Sequence, residues 1–475
     1  MNNSGISISE VKVMDTVIKT VKQYSRELDE DTLRELQFIA NQYKSVKNYV
    51  YSRYSGINSI TLLRREREIR DEWIRIKFYE QWKLPARYWK LALSDAFGNI
   101  RSNWTNTRRK VKEQSKRNSN LSDDDRHYIN YVLKFDSYYA RVLTGGKLEI
   151  PEAFKDKDLN YRYLNNLIRR YTRKYKGSIP LSKIGRSFSV DTGLYSYKSN
   201  CINITSTVKG QRLAIELTDS NHYDRTMTVH LKGNHLEIHC PLRVRKKSNC
   251  NQNIIGVDKG YRHLFAVSSG NFYGKNLNDF LSKETERLSK VNSQRNRFYA
   301  LYNQYKKDGN IKKADNILKC NLGKLKYNHN RKKHDKNVKS YITHSLDSLI
   351  QNERPKEIVM EKLDFARWDD RYPKSVKRKI SRWIKGYIKE RLEYKCDLNR
   401  IEYTYINPAY TSQICNICGS FGKRNSDLFK CSDCGETHAD LNAAINILNR
   451  KYDEHITLYT PYTKVRNILE KRISV

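Results

Sequence analysis

The sequence predicts a multidomain α+β protein, because the spacing of its apolar residues changes twice along the 475-residue chain. Over residues 30–176 apolar positions recur every three or four residues, which predicts a helical domain. Over 180–245 they alternate with polar ones, which predicts half-buried antiparallel strands. From residue 254 strand-like and helical stretches alternate as in an α/β domain, and a pair of CxxC motifs interrupts that last part.

The helical and strand stretches can be placed along the chain. A short β-like stretch covers residues 6–13, and Lys232-Gly233-Asn234 predicts a turn between two later strands. The remaining predicted elements are helices at 30–50, 60–83, 86–118, 122–143 and 158–176, strands at 254–257 and 264–267, a basic helical segment at 277–351, a strand ending at 361, a helix at 374–399, a strand at 401–406 and a last helix from about 440.

These elements suggest six segments, in which the early strand completes a β-barrel and the cysteines form an insertion within the α/β domain. The segments are 1–29 (first part of the barrel), 30–178 (helical domain), 179–250 (barrel), 251–407 (first part of the α/β domain), 408–437 (zinc ribbon) and 438–475 (second part and C-terminal tail).

The charge balance favours a polyanionic partner. The chain has 91 Lys and Arg against 52 Asp and Glu, a net charge of +39, and nucleic acid relieves such self-repulsion through counterion release. An enzyme for small metabolites has no need of this charge. One basic cluster is more often a solvated face, but an excess along the whole chain favours nucleic-acid binding.

Aromatic residues interleaved with basic ones predict contacts to bases or sugars at Arg87, Tyr88, Arg101 and Trp104. Packing in a core is the competing interpretation for each of these rings. The chain has no apolar run of about 20 residues that could span a membrane and no N-terminal signal segment. Its nine cysteines suit a reducing compartment. We therefore expect a soluble, cytoplasmic protein.

The most specific local pattern is a four-cysteine metal site. Cys415 and Cys418 form one CxxC pair, and Cys431 and Cys434 form a second pair 12 residues later. Four thiolates complete the tetrahedral coordination of Zn²⁺ and leave no position for a substrate, so the site is expected to be structural. A redox pair or coincidence is the alternative, and the nearby His438 is expected to be a neighbour and not a ligand.

Three separated acids form a second pattern. Asp258 and Glu361 each end an apolar strand, and Asp440 opens the helix after the ribbon. Each acid alone could be a turn or cap residue. Strand ends on one side of a sheet can bring distant acids together, and such oxygen ligands suit Mg²⁺ or Mn²⁺. Two such ions about 4 Å apart can hydrolyse a phosphodiester.

The motifs around these acids resemble a known family. They are Gly256-Val257-Asp258-Lys259-Gly260, Val359-Met360-Glu361-Lys362-Leu363, the segment 407–413 leading to Cys415, and Asp440-Leu441-Asn442-Ala443-Ala444. In this order, with a zinc ribbon between the second and third acids, residues 251–450 resemble the RuvC nuclease part of transposon-encoded TnpB proteins and compact type V CRISPR effectors. The N-terminal half agrees with that family in layout alone.

The resemblance implies an RNase H-like (RuvC) core, an N-terminal helical recognition domain and a β-barrel wedge domain. It implies an RNA-guided DNA endonuclease in which Asp258, Glu361 and Asp440 bind Mg²⁺, with guide RNA and double-stranded target DNA as partners. Arg424 lies roughly where relatives place an arginine near the scissile phosphate, although an ordinary surface arginine fits the loose alignment equally well.

The sequence departs from the family pattern at two places. Lys259 replaces the apolar residue that commonly follows the first acid, and His438-Ala439 replaces an acidic-Arg pair before the last acid. Neither change removes a metal ligand. The missing arginine could lower the activity, but we expect cleavage.

Other functions remain open at this point. An RNA-guided binding protein that represses without cutting would fit the charge, although such relatives generally lose an acid. A transposase or resolvase would share the carboxylates, but no serine or tyrosine recombinase pattern is present. The motifs do not distinguish a CRISPR origin from a transposon origin. They also do not indicate whether the protein acts as a monomer or as a homodimer on one guide.

Overall fold

The computed structural model describes residues 15–146, 149–179, 181–247, 252–260, 262–362 and 382–473, so the β-like stretch 6–13 lies outside the described residues. The fold is mixed α+β. The chain divides into two compact units, one formed by Ile18–Val244 and the other by Met1–Val17 with Arg245–Val475.

The first unit contains all but the first two residues of strand β1 (Thr16–Tyr24). It continues as a helical layer around a large aromatic core that includes Tyr43, Trp89 and Phe97. Asp29 caps the first helix by accepting a hydrogen bond from the backbone of Thr32 at 2.8 Å. The helices are α1 (Glu30–Tyr54), α2 (Glu66–Arg75), α3 (Ala86–Arg117), α4 (Asp123–Lys134), α5 (Asp136–Thr144) and α6 (Tyr161–Tyr175).

Two of the predicted helices are interrupted. The predicted helix 60–83 reduces to α2 because Lys77 and Lys83 adopt left-handed backbone angles, with φ of 54° and 50°, which an α-helix cannot continue through. Short 3-10 turns, Ile57–Leu62 and Phe78–Trp82, flank it. The predicted helix 122–143 divides into α4 and α5 at Phe135, whose backbone is extended.

Within the described part of the first unit, the strands form two open sheets and not the closed barrel that the alternation suggested. One sheet has the order β1-β7-β6-β2 and the other the order β3-β4-β5. A bridge from Ser25 to Leu217 joins the end of β1 to the end of β5. The strands are β2 (Ser187–Val190), β3 (Tyr195–Lys198), β4 (Cys201–Thr205), β5 (Arg212–Glu216), β6 (Met227–Lys232) and β7 (His235–Arg245).

The second unit contains a five-stranded mixed sheet of order β10-β9-β8-β11-β12. β9 is antiparallel to both β8 and β10, whereas β11 runs parallel to both β8 and β12. β11 is buried along its whole length, as expected for a central strand. The strands are β8 (Ile254–Asp258), β9 (His263–Val267), β10 (Phe272–Lys275), β11 (Glu357–Glu361) and β12 (Glu402–Ile406).

Between β10 and β11 the chain forms three helices, α7 (Leu277–Lys307), α8 (Ile311–Cys320) and α9 (Leu325–Glu353). Their ends near the sheet are packed, for example at Leu281 and Ile342. In the distal part, residues 286–337, only Ala314 and Leu322 are buried among the side chains that the structure describes. This distal part has fifteen Lys and Arg but four Asp and Glu. It is therefore a strongly basic segment with a predominantly exposed surface.

After β11 the described chain resumes at α10 (Arg382–Leu398) and β12, so residues 374–381 of the predicted helix lie outside the description. The cysteine segment follows as a small three-stranded antiparallel sheet, β13 (Lys423–Asn425), β14 (Leu428–Cys431) and β15 (Gly435–His438). The last helices are α11 (Ala439–Arg450) and α12 (Tyr462–Ile473). None of the described helices is both long and apolar enough to cross a membrane.

Candidate metal and nucleic-acid site

Two of the predicted acids meet at one edge of the mixed sheet. β8 and β11 are parallel, with Met360 opposite Val257, so Glu361 and Asp258 follow at the same carboxyl edge. Asp258 is half-buried and Glu361 is buried. Strand pairing therefore brings together two acids that lie more than a hundred residues apart in the sequence.

The third acid reaches this edge through α11, which packs on β8. Gly256 makes the packing possible, because a Cβ at this position would lie 2.2 Å from the carbonyl oxygen of Ala444. Asp440 lies in the first turn of α11, buried and close to the turn after β8: a Cβ on Gly260 would lie 3.4 Å from its Oδ2. The close approach of helix and strand thus places the three carboxyl groups around one space.

That space is a pocket of about 630 Å³. The three acids line it together with cationic and polar side chains, namely Lys259, Arg262, Ser412, Arg424, Ser426 and Asp427. The pocket therefore combines a cluster of like charges with a partly cationic rim.

The like charges perturb one another. Burial, followed by repulsion from Glu361 and Asp440, raises the pKa of Asp258 to about 7. Burial also raises the pKa of Glu361. A divalent cation would relieve this repulsion, and carboxylate oxygens are the donors that Mg²⁺ and Mn²⁺ prefer. The residues present thus fit such an ion.

Lys259, one of the two departures from the family pattern, lies in the same pocket. It is half-buried, and burial lowers its pKa while the carboxylates of Glu361 and Asp258 oppose that change. Its ammonium group therefore faces the acids and adds positive charge to the pocket.

The segment 407–413 supports the second acid. The hydroxyl of Thr411 donates a hydrogen bond to Oε1 of Glu361. The side-chain amide of Asn446, on α11, donates to the carbonyl oxygen of Thr411 at 2.9 Å, and that of Asn442 donates to the carbonyl oxygen of Ile414 at 2.8 Å. These bonds attach the segment to α11 and fix the orientation of Glu361.

Arg424 reaches the pocket from β13 of the ribbon. Its Nη2 donates to Oδ1 of Asp440 at 2.6 Å, and its Nε donates to the carbonyl oxygen of Ser426 at 3.1 Å. The arginine side chain is 38% exposed, whereas that of Asp440 is 5% exposed. Arg424 therefore lines the pocket while it stays accessible to solvent, and a catalytic role for it stays a prediction.

A second contact fixes the ribbon against the core. Arg262, between β8 and β9, donates to Oδ2 of Asp427 in the turn between β13 and β14. The backbone N–H of Ala439 donates to the carbonyl oxygen of Asp427 at 2.7 Å. The turn that follows Arg424 is thus held by both the core and the start of α11.

The four cysteines converge as their spacing predicted. The Sγ atoms of Cys415, Cys418, Cys431 and Cys434 all lie within 4.8 Å of one another. Hydrogen bonds from the hydroxyl and backbone N–H of Ser420 lower the pKa of Cys418 to about 6, which favours the thiolate. Four sulfur donors at this spacing suit a structural zinc ion.

His438, the neighbour of the ribbon, caps a helix. Its Nδ1 accepts a hydrogen bond from the backbone N–H of Asp440 at 3.3 Å, at the start of α11. Its ring packs on Phe272 with 4.7 Å between centroids. His438 therefore lies outside the group of four thiols.

The predicted nucleic-acid contacts in the first unit need a correction. Tyr88 and Trp104 are buried, with exposed fractions of 0% and 2%, because both rings face the helical core. The hydroxyl of Tyr88 donates to a backbone carbonyl at 2.7 Å. Stacking of bases on these two rings is therefore wrong for this structure, and core packing is the correct interpretation.

The two arginines predicted with them are more accessible but already paired. Arg87 donates to Asp191 at 3.0 Å, and Arg101 donates to Glu66 at 2.9 Å. Their side chains are 57% and 42% exposed. A contact with nucleic acid remains a prediction for Arg87 and Arg101.

Three residues that line or support the pocket were not predicted from the sequence. Thr411 lies in the segment 407–413, but the spacing of residues in the sequence does not indicate its hydrogen bond to Glu361. Arg262 and Asp427 lie 165 residues apart, and neither carries a local pattern. A basic residue four positions after the first acid was the available signal for Arg262.

The cysteine region has known relatives. Residues 386–447 match the family described as Cas12f1-like, TNB domain. This match covers most of α10, all of β12 and the ribbon, and most of α11. The resemblance to TnpB-like and compact type V proteins is confirmed.

Curated relatives extend this similarity over short stretches. The chain is 36% identical over 83 residues to the CRISPR-associated endodeoxyribonuclease Cas12f1 of Sulfoacidibacillus thermotolerans, covering 17% of this chain and 20% of that protein. It is 28% identical over 122 residues to a TnpB-like protein of Methanocaldococcus jannaschii, covering 24% and 44%. A TnpB-like protein of Aquifex aeolicus is 35% identical over 95 residues, covering 19% and 31%. The chain thus matches under half the length of each of these relatives.

Solved structures align over most of the chain but at low similarity. A Cas12f1–sgRNA–target DNA complex gives a TM-score of 0.40 and 14% identity, covering 92% of this chain and 99% of that chain. The mini-RNA-guided endonuclease CRISPR-Cas_phi3 gives 0.45 and 13%, covering 97% and 96%. Scores at this level do not establish a shared fold.

Proposed function

We propose that this protein is an RNA-guided, metal-dependent DNA endonuclease with a single RuvC-like site at Asp258, Glu361 and Asp440. The observation that carries the proposal is the pocket in which the three carboxyl groups meet beside Arg424. The similarity to TnpB-like proteins and to a Cas12f1 endodeoxyribonuclease supports it.

The three acids would hold Mg²⁺ or Mn²⁺, which supplies an activated water and charge stabilisation at the leaving oxygen of a phosphodiester. Their repulsion, seen in the raised pKa of Asp258, is what such an ion would offset. Thr411 orients Glu361, and the packing of α11 on β8 fixes Asp440.

The cationic side chains of the pocket would bind the substrate backbone. Lys259 and Arg424 line the same space as the acids, and charge-assisted bonds to phosphate oxygens are what such groups make best. Arg424, on the ribbon, would place a phosphate over the acids. The zinc ion would then be structural and would set the position of the strand that carries Arg424.

Guide RNA and double-stranded DNA would be the partners, and the net charge of +39 supports both. The guide would supply sequence specificity by base pairing, while the protein would read a short adjacent motif, which family habit suggests is T-rich. The mixed five-stranded sheet with acids at one edge supports an RNase H-like core. We expect a cytoplasmic protein that acts as a monomer or homodimer on one guide.

The test uses the purified complex of protein and guide RNA with a matched duplex. Asp258→Ala or Glu361→Ala should abolish cleavage in Mg²⁺ or Mn²⁺ while RNA and DNA binding persist. Asp315→Ala, an exposed acid on α8, is the matched control and should cut normally. Cleavage that survives either pocket substitution would show that the site is assigned incorrectly.

Two other outcomes identify the alternatives. Tight binding without nicks over a broad range of metals would favour an RNA-guided repressor, and strand-transfer products would favour a transposase. The RNA that co-purifies with the protein distinguishes a CRISPR guide with a repeat sequence from a transposon-end transcript.

A further inference from the structure

The turn that follows Arg424 is held more firmly than the ribbon itself requires. Within the small sheet, β13 and β14 already pair from Lys423 with Lys430 to Asn425 with Leu428. The turn residue Asp427 nevertheless makes two bonds outside the ribbon, one from the guanidinium of Arg262 and one from the backbone of Ala439. These contacts set the turn relative to the core and to α11.

The same turn holds Arg424. The carbonyl oxygen of Ser426 accepts a bond from Nε of Arg424 at 3.1 Å, which leaves Nη2 to reach Asp440 at 2.6 Å. Ser426 has a left-handed backbone with φ of 57°, so its carbonyl direction depends on the turn keeping this conformation. A shift of the turn would therefore move the guanidinium in the pocket.

We propose that Arg262 is a positioning residue, which acts through Asp427 to hold the turn 426–427 and thereby places Arg424 over the three acids. This inference rests on the proposed nuclease function for its effect on cleavage. It assigns Arg262 a role different from that of Lys259, which faces the acids directly.

The solvent exposure of the Arg262–Asp427 ion pair allows an effect on the position of Arg424 to be distinguished from an effect on folding stability. The side chains of Arg262 and Asp427 are 54% and 35% exposed, and ion pairs that are this accessible to water add little to folding stability. Loss of the pair should therefore leave the zinc site and the thermal midpoint unchanged. Catalysis responds more steeply to geometry, since a misplacement of about 1 Å can cost about a hundredfold in rate.

The experiment is a charge-swap cycle on the full chain with its guide RNA. Arg262→Asp and Asp427→Arg should each lower the single-turnover cleavage rate by roughly 10- to 100-fold, with affinities for guide and target unchanged. The double variant, with the charges exchanged, should recover most of the rate. Lys423→Ala, an exposed cation on the same strand as Arg424, is the control and should cleave at the parent rate.

Hydrogen exchange supplies a readout that needs no cleavage. The amides of residues 424–428 should lose protection in each single variant and regain it in the double variant, with zinc content constant. The proposal would be overturned if the losses of cleavage rate in the two single variants add up in the double variant. It would also be overturned if the single variants lose affinity for DNA while their cleavage rate stays the same. If the parent protein does not cleave, the exchange cycle still tests the pairing, and the failure then belongs to the nuclease function alone.

Discussion

Replacing Asp258 by Asn should make the metal-free protein more stable while it removes cation binding. The ionised carboxylate is held close to two other acids, and burial together with their repulsion raises its pKa from 3.8 to about 7. Asparagine has nearly the same shape but no charge. The substitution therefore removes a negative charge whose burial and repulsion destabilise the folded protein. Such a destabilising group is typical of a functional site.

The size and the pH window follow from linkage. At about 1.4 kcal/mol per pKa unit, ionised Asp258 lowers the free energy of unfolding by about 4 kcal/mol above pH 7. The unfolded chain loses this proton near pH 3.8 and the folded chain near pH 7. Stability conferred by the protonated acid is therefore present at low pH and declines as the pH rises through this window. The gain from Asp258→Asn should be fully developed at about pH 8 and roughly half as large at about pH 5.5.

Scanning calorimetry in zinc-replete buffer without magnesium measures the effect. For a unit of this size, 4 kcal/mol corresponds to a rise of roughly 10 °C in the thermal midpoint at about pH 8. Added Mg²⁺ should stabilise the parent protein but not the variant. Asp315→Asn, an exposed acid on α8, should change nothing.

A variant that is no more stable than the parent at about pH 8 would refute the argument from repulsion. An equal gain at both pH values would refute it too, since a packing effect does not depend on titration.

Three further predictions concern the ribbon, the packing of the sheet and the aromatic core. Cys431→Ser should release the zinc ion, measured as metal content per chain, because three thiolates and a hydroxyl hold Zn²⁺ poorly. Gly256→Ala should destabilise its unit by about 3 kcal/mol, because the new Cβ would meet the carbonyl of Ala444. Gly386→Ala, where a Cβ meets nothing within 4 Å, is its denaturation control. Tyr88→Phe should cost about 1 kcal/mol of stability through one lost hydrogen bond, measured by chemical denaturation, and a variant as stable as the parent would contradict a contribution from that buried bond.

Patterns with a fixed period or spacing could be predicted from the sequence. The two CxxC pairs predicted the convergence of four thiols, and the apolar runs before Asp258 and Glu361 predicted two neighbouring strand ends. The start of α11 was placed at Asp440, one residue after its observed first residue. In each case the signal is a short local pattern, either a fixed spacing of cysteines or an apolar run of strand length before an acid.

Features that depend on tertiary packing were missed. Alternation in 180–245 predicts strands but not closure, and the structure has two open sheets. Nothing in the neighbourhood of Trp104 indicates that its ring faces inward. The pairing of Arg262 with Asp427 depends on how the ribbon lies on the core, which no periodicity encodes.

The helical insertion between β10 and β11 has a consequence for the size of the protein. Its roots are anchored by packed residues, whereas the stretch 286–337 contributes two buried side chains among those described, Ala314 and Leu322. Closing a shorter connection costs little, because loop entropy varies slowly with length. A miniaturised gene that joins the roots of α7 and α9 directly would therefore keep the sheet and its acids, and about a tenth of the coding length becomes available for cargo or delivery.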